Sequence, residues 1–217
     1  MAVDKPPGLL VHRTQLAAGE QAAALQLLRD QLGRPVWPVH RLDRGTSGVL
    51  VFALSPEVAS LLGAMFEGGR MNKRYLALVR GWPAQDEGLI DHPLARDPEL
   101  PSAGQPMLAA QTRWRVCQRL AWPLSTDPRF ATTRVALLEA EPLQGRRHQI
   151  RRHLKHIAHP ILGDATHGKG PLNRAVAAHL GVQRLWLHAR QLAFTHPVTG
   201  APLDLQAALS PHWPVSA

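Results

Sequence analysis

The chain has 217 residues, 45% of them hydrophobic, which is enough for one large folded domain with a sizeable core. Lys and Arg number 25 against 16 Asp and Glu, and the resulting +9 formal charge favours polyanionic partners, nucleic acid first among them. The single cysteine, Cys117, excludes an internal disulfide framework and a thiolate zinc cluster; with no signal-peptide pattern and no apolar run long enough for a bilayer, the expected setting is the cytoplasm, with no membrane partner.

A Lys-Pro-Pro-Gly turn at residues 5–8 comes so early that a preceding strand is expected to be truncated, and residues 9–12, LLVH, suit a short strand. Residues 20–32 have helical spacing through Ala24, Leu25, Leu28 and Leu32, with Gly33 and Pro35 as the stop. A strand follows at residues 48–54. Ser55-Pro56-Glu57 then supplies a hydroxyl cap, an N-terminal proline and an acid for a helix whose apolar face is Val58, Leu61, Leu62, Met65 and Phe66. Residues 72–81, NKRYLALVRG, form a strand with a basic entry, and turns surround residues 89–94. Loops are expected at 97–106 and 123–132, and strands at 109–120 and 133–141. The most basic helix begins near Gly145: five of the ten residues 146–155 are Arg or Lys, Ile150, Leu154 and Ile157 hold one side to the core, and Arg147, Arg151 and Lys155 share another face. Pro160 ends it. Residues 163–170, GDATHGKG, are a polar loop, and residues 184–194 and 203–206 are closing strands. With no repeat and no linker, the expectation is one α+β domain over residues 1–217, with a mixed, mainly antiparallel sheet and flanking helices.

The densest chemistry lies in residues 40–54, HRLDRGTSGVLVFAL, where Asp43 stands between Arg41 and Arg44 and is followed by Gly45, Thr46, Ser47 and Gly48. Conformational preference for a turn accounts for such a run equally well. Among the twelve histidines, the intervals between His148, His153, His156 and His159 do not give HExxH, and no acid lies among them, so no metal site is expected. GDATHGKG lacks the spacing of a nucleotide-phosphate loop, GxGxxG does not occur, and Ser47 is not in a GxSxG elbow. A carboxylate beside arginines, a basic helix and the chain's one tyrosine, Tyr75, remain.

The run HRLDRGTSGVLVFA resembles the catalytic segment of RluA-type pseudouridine synthases. DKPPGLLVH, KRYLALVRG and GRRHQIRRHLKHIAHPILGD agree with that family in order and character, so the resemblance covers nearly the whole chain. Two departures stand out. The family has an additional strand before the Lys-Pro turn, where only residues 1–3 precede Asp4 here, and there is no room for the RNA-binding accessory domain of many relatives. The late segments, together with PRFATTRVALLEAEPL, are similar to the bacterial members that act on uridine 65 of tRNA.

The resemblance implies isomerisation of uridine to pseudouridine by a monomer, with tRNA as partner and with no cofactor and no metal. It makes Asp43 the nucleophile, leaving open attack at C1′, addition at C6 or abstraction of a sugar proton. Arg151 becomes the cation that lowers the pKa of Asp43 and orients it. Tyr75 stacks on the uracil and is a candidate base for the C5 proton. Arg41 fills the space left by the flipped base. Arg44, Lys73, Arg74, Arg147, Arg152 and Lys155 become RNA contacts, and Ile161 and Leu162 walls of the base pocket. The alternatives are a pseudouridine synthase for ribosomal RNA and a non-catalytic RNA-binding protein or chaperone.

Overall fold

The computed structural model describes residues 1–12 and 23–215. The chain forms two compact units, residues 1–72 with 189–208 and residues 73–188 with 209–217. The first opens with β1 (Ala2–Lys5), antiparallel to β3 (Ser47–Ala53), with Lys5 opposite Gly48. The strand expected to be truncated before the Lys-Pro turn is thus present as four residues, of which only Lys5 is buried. Residues 9–12 are not a strand. The carbonyls of Leu10 and Val11 instead accept from the amides of Ala24 and Leu25, satisfying first-turn donors of α1 (Ala24–Leu32). The expected start of that helix, residues 20–22, lies outside the described residues, and Gly33 ends it in the left-handed conformation at φ 63°.

β2 (Trp37–Pro38) pairs with β3. In α2 (Pro56–Glu67), Ser55 Oγ accepts from the Val58 amide at 3.3 Å, and Leu62 and Met65 turn inward beside Val49, Val51 and Ala53 of β3.

The chain passes into the second unit within β4 (Asn72–Arg80) and continues through β5 (Glu87–Asp91), β6 (Leu94–Ala95), β7 (Met107–Leu108), β8 (Gln111–Trp122) and β9 (Thr133–Pro142). Strands β4, β9, β8 and β5 are neighbours in that order, all antiparallel, and β6 pairs with β7. Helix α3 (Gln149–His156) places Ile150 and Leu154 in the same core as Leu78, Leu138 and Trp186. A further helix, α4 (Gly170–Leu180), was not anticipated. Pro171 sits in its first turn, Leu172 and Val176 are buried, and Gly181 ends it at φ 69°. β10 (Leu187–Thr195) carries the chain back into the first unit, where β11 (Pro202–Gln206) pairs with it antiparallel. The fold is α+β, and no helix of the described residues is long and apolar enough to cross a membrane.

Candidate active site

In the first unit, residues 40–46 run between β2 and β3 and close a turn in which the Thr46 amide donates to the Asp43 carbonyl at 3.0 Å. Leu42 is buried, Asp43 is half-buried and Arg41 is exposed, so the turn keeps an apolar anchor while presenting charge. Three groups fix this loop. His40 Nε2 accepts from the Val51 amide at 3.0 Å, which puts its ring proton on Nδ1, and the ring stacks on Phe66 at 4.5 Å. Lys5, only 1% exposed, donates from Nζ to the carbonyls of Leu9 (2.8 Å), Pro6 (3.0 Å) and Arg44 (3.1 Å). The Gly8 amide donates to the Arg44 carbonyl at 2.8 Å, and Arg44 Nε returns a bond to the Gly8 carbonyl at 3.1 Å. Gly48 then enters β3 at φ 106°, where a Cβ would overlap the Ala189 carbonyl.

In the second unit, Tyr75 lies on β4 opposite Ala140, half-buried against the core. Gln149 Oε1 accepts from the Arg146 amide at 2.9 Å and His148 turns left-handed at φ 55°, so α3 begins at Gln149. Arg147 therefore lies ahead of the helix and not on a face shared with Arg151 and Lys155. Arg151 is gripped at two points along one edge by Asp164: Nε to Oδ2 at 2.7 Å and Nη2 to Oδ1 at 2.9 Å. Oδ1 also accepts from the amides of Thr166 (2.9 Å) and His167 (2.8 Å). Burial pushes the pKa of Asp164 up, yet the hydrogen bond and charge of Arg151, with the His167 amide, more than offset it and hold the carboxyl below its usual value. His167 Nε2 lies 3.2 Å from His148 Nδ1, and burial pushes the His167 pKa down to about 4.

The other expected RNA contacts divide. Arg74 and Lys155 are exposed. Lys73 is 8% exposed, its Nζ donates to the Gln144 carbonyl at 3.0 Å, and burial lowers its pKa to about 8. Arg147 pairs with Asp97 and Glu99, and Arg152 Nη1 donates to the Ala95 carbonyl at 2.9 Å. The cationic groups of Lys73, Arg147 and Arg152 thus each already hold a protein oxygen, whereas Arg74 and Lys155 are exposed. Ile161 and Leu162, expected as pocket walls, are packed into the core of the second unit: Ile161 bridges Val79, and Leu162 bonds the backbone of Leu78 and Trp186. Lys5, Asp164 and Asn173 went unnoticed in the sequence, where a lysine in a proline turn and polar residues near glycines look like solvated surface. Among the described residues, no three His, Cys, Asp or Glu gather in a group that could hold a metal.

The sequence model of the RNA pseudouridylate synthase family matches residues 1–156. The chain belongs to that family. It is 45% identical over 218 residues to tRNA pseudouridine synthase C of Vibrio cholerae, covering 98% of this chain and 88% of that one. It is also 45% identical over 224 residues to tRNA pseudouridine synthase C of Pasteurella multocida, covering 98% and 89%. Among solved structures it resembles human RNA pseudouridylate synthase domain containing 1, with TM-score 0.73 and 25% identity over 95% of this chain and 78% of that one. Human RNA pseudouridylate synthase domain containing 4 gives TM-score 0.70 and 27% identity over 97% and 85%.

Proposed function

We propose that this chain isomerises uridine to pseudouridine in tRNA, at uridine 65, as a cytoplasmic monomer that uses no cofactor or metal and whose two units make up one catalytic domain. The observation that carries this reading is the 45% identity to tRNA pseudouridine synthase C across 98% of the chain. The bond from C1′ to N1 breaks, the uracil turns, C1′ bonds to C5, and the C5 proton is removed while N1 gains one. Asp43 is the nucleophile, with Tyr75 and Arg151 completing the catalytic set. The clamp on residues 40–46 supports this role, because it anchors the backbone around a carboxylate that is itself half-buried. Exposed Arg41 suits replacement of the flipped base, whose removal from its stack costs a few kcal/mol, and Arg74 and Lys155 suit phosphate contact.

The test is Asp43→Asn with tRNA substrate. Pseudouridine formation is expected to vanish while tRNA affinity stays within a few fold; conversion by the Asn variant would reject Asp43. Mapping pseudouridine in total RNA from a strain lacking the protein should show loss at uridine 65 of tRNA. Loss at a ribosomal position with tRNA untouched would reject the tRNA reading.

A further inference from the structure

We infer that Asp164 is a positioning residue of the reaction, holding the guanidinium of Arg151 in one fixed plane and direction before RNA arrives. This rests on the catalytic role proposed for Arg151, and it assigns a task to a carboxylate that touches no substrate. Asp164 is 1% exposed and lies in the loop that joins α3 to α4. Its two oxygens take Nε and Nη2 of Arg151, at 2.7 and 2.9 Å. A fork of this kind fixes the plane of a guanidinium and its rotation, where a single contact would fix neither.

The carboxylate is itself immobilised. The amides of Thr166 and His167 hold Oδ1. The Asp164 carbonyl accepts from Asn173 Nδ2 at 2.9 Å and from the Gly168 amide at 3.0 Å, while Asn173 Oδ1 accepts from the Gly163 amide at 2.9 Å. One side chain of α4 thus grips the loop backbone on both sides of the Gly163–Asp164 peptide bond. Gly163, at φ 74°, packs so closely on Arg184 that a Cβ would overlap its carbonyl oxygen. Neutralising a buried arginine would need only a nearby negative charge. Here that charge has a two-point geometry and a rigid support, and a cation fixed before the reaction needs no reorganisation during it.

The experiment compares Asp164→Asn, Asp164→Glu and Arg151→Lys, with the Asp164→Asn/Arg151→Lys double variant, on tRNA. In Asp164→Asn, kcat is expected to fall about 100-fold, the scale of a misplaced catalytic group, with KM within about threefold. Asp164→Glu restores charge without the geometry and should recover little of that loss; full recovery would show that neutralisation suffices and overturn the inference. In the Arg151→Lys background, Asp164→Asn should cost less than about threefold further, whereas an undiminished loss would show that Asp164 does not act through Arg151.

A second readout needs no turnover. The Nε–H resonance of Arg151, assigned by its loss in Arg151→Lys, should be sharp in the wild-type protein and exchange-broadened in Asp164→Asn, and an unchanged resonance overturns the inference. A wild-type chain that makes no pseudouridine would defeat the proposed function alone, and that resonance would still decide the role of Asp164. Should Asp164→Asn fail to fold, Asn173→Ala keeps the ion pair and frees its support. A fall in kcat of about tenfold with KM unchanged supports the inference, and an unchanged kcat overturns it.

Discussion

The loop before β3 and the loop before α4 hold residues of the proposed site in opposite ways. In the first, a buried cation, Lys5, gathers the backbone carbonyls of Pro6, Leu9 and Arg44. In the second, a buried anion, Asp164, gathers two backbone amides and the guanidinium of Arg151 itself. One device holds a loop by its backbone; the other holds a side chain, the guanidinium of Arg151. Damage to the first should therefore appear mainly as lost stability, and damage to the second mainly as lost turnover.

Lys5→Met gives the largest expected effect on stability. It keeps the apolar stem but leaves three carbonyls without their charged donor. Hydrogen bonds to charged groups contribute about 1.5–3 kcal/mol each, and water can reach part of the vacated site, so a net loss of about 3 kcal/mol is expected. Urea unfolding would report it as a lower midpoint at unchanged slope. A loss under about 1 kcal/mol would mean that the clamp is incidental and that the contrast between the loops fails.

The contrast also marks what the sequence could reveal. α2 and β8 are legible because their apolar residues recur with the period of a helix or strand, and β3, β4 and β9 because each carries a short continuous apolar run that is buried. β1 had only the family resemblance to point to it, since its one buried residue is a lysine and charge on a short strand imitates a turn. α4 did carry signals, Pro171 in its first turn and Gly181 just past its end, but the expected loop stops at Gly170 and no element is assigned to residues 171–183. Within the site, Asp43, Tyr75 and Arg151 stood out through motif resemblance. Lys5, Asp164 and Asn173 could not, because each acts through partners distant in sequence, and nothing in a polar residue's neighbours says whether it ends in water or in a carbonyl cage. Arg147 does not share a helix face with Arg151 and Lys155, for a local reason: the left-handed His148 delays the start of α3 to Gln149.

A smaller effect should appear in the pH dependence of stability, through the second loop. Burial lowers the folded-state pKa of His167 from 6.5 to about 4, so the unfolded chain takes up that proton first. Stability is therefore complete above pH 6.5 and falls as pH drops toward about 4, by at most about 1.4 kcal/mol per pH unit for this one proton. His153, also lowered by burial, adds a loss of the same sign. The depressed Asp164 carboxyl adds its own at the acid end, its contribution being present above 3.8 and lost as pH falls through its folded-state pKa. Urea unfolding at a series of pH values should show this decline, and His167→Gln should flatten it by up to one proton. An unaltered slope in the variant would mean that the charged ring is tolerated beside Arg151, and that this loop is no more acid-sensitive than its histidine count.

The smallest effect is expected at Lys73, and it bears on the idea that a buried ammonium here serves backbone carbonyls before it serves RNA. Lys73 and Lys5 are alike in this: both are buried, and both donate to carbonyls. The pKa of about 8 leaves Lys73 largely charged at neutral pH, but its ammonium is buried and donates to the Gln144 carbonyl, which sets it back from a phosphate that stays in solvent. Lys73→Met should therefore leave the slope of log affinity against log salt unchanged for tRNA. Lys155→Ala, at an exposed position on α3, should reduce its magnitude by about 0.7–0.9 if that ammonium neutralises one phosphate. A reduced slope in Lys73→Met would require the ammonium to leave Gln144 when RNA binds, and its burial in the free protein would then be a resting position.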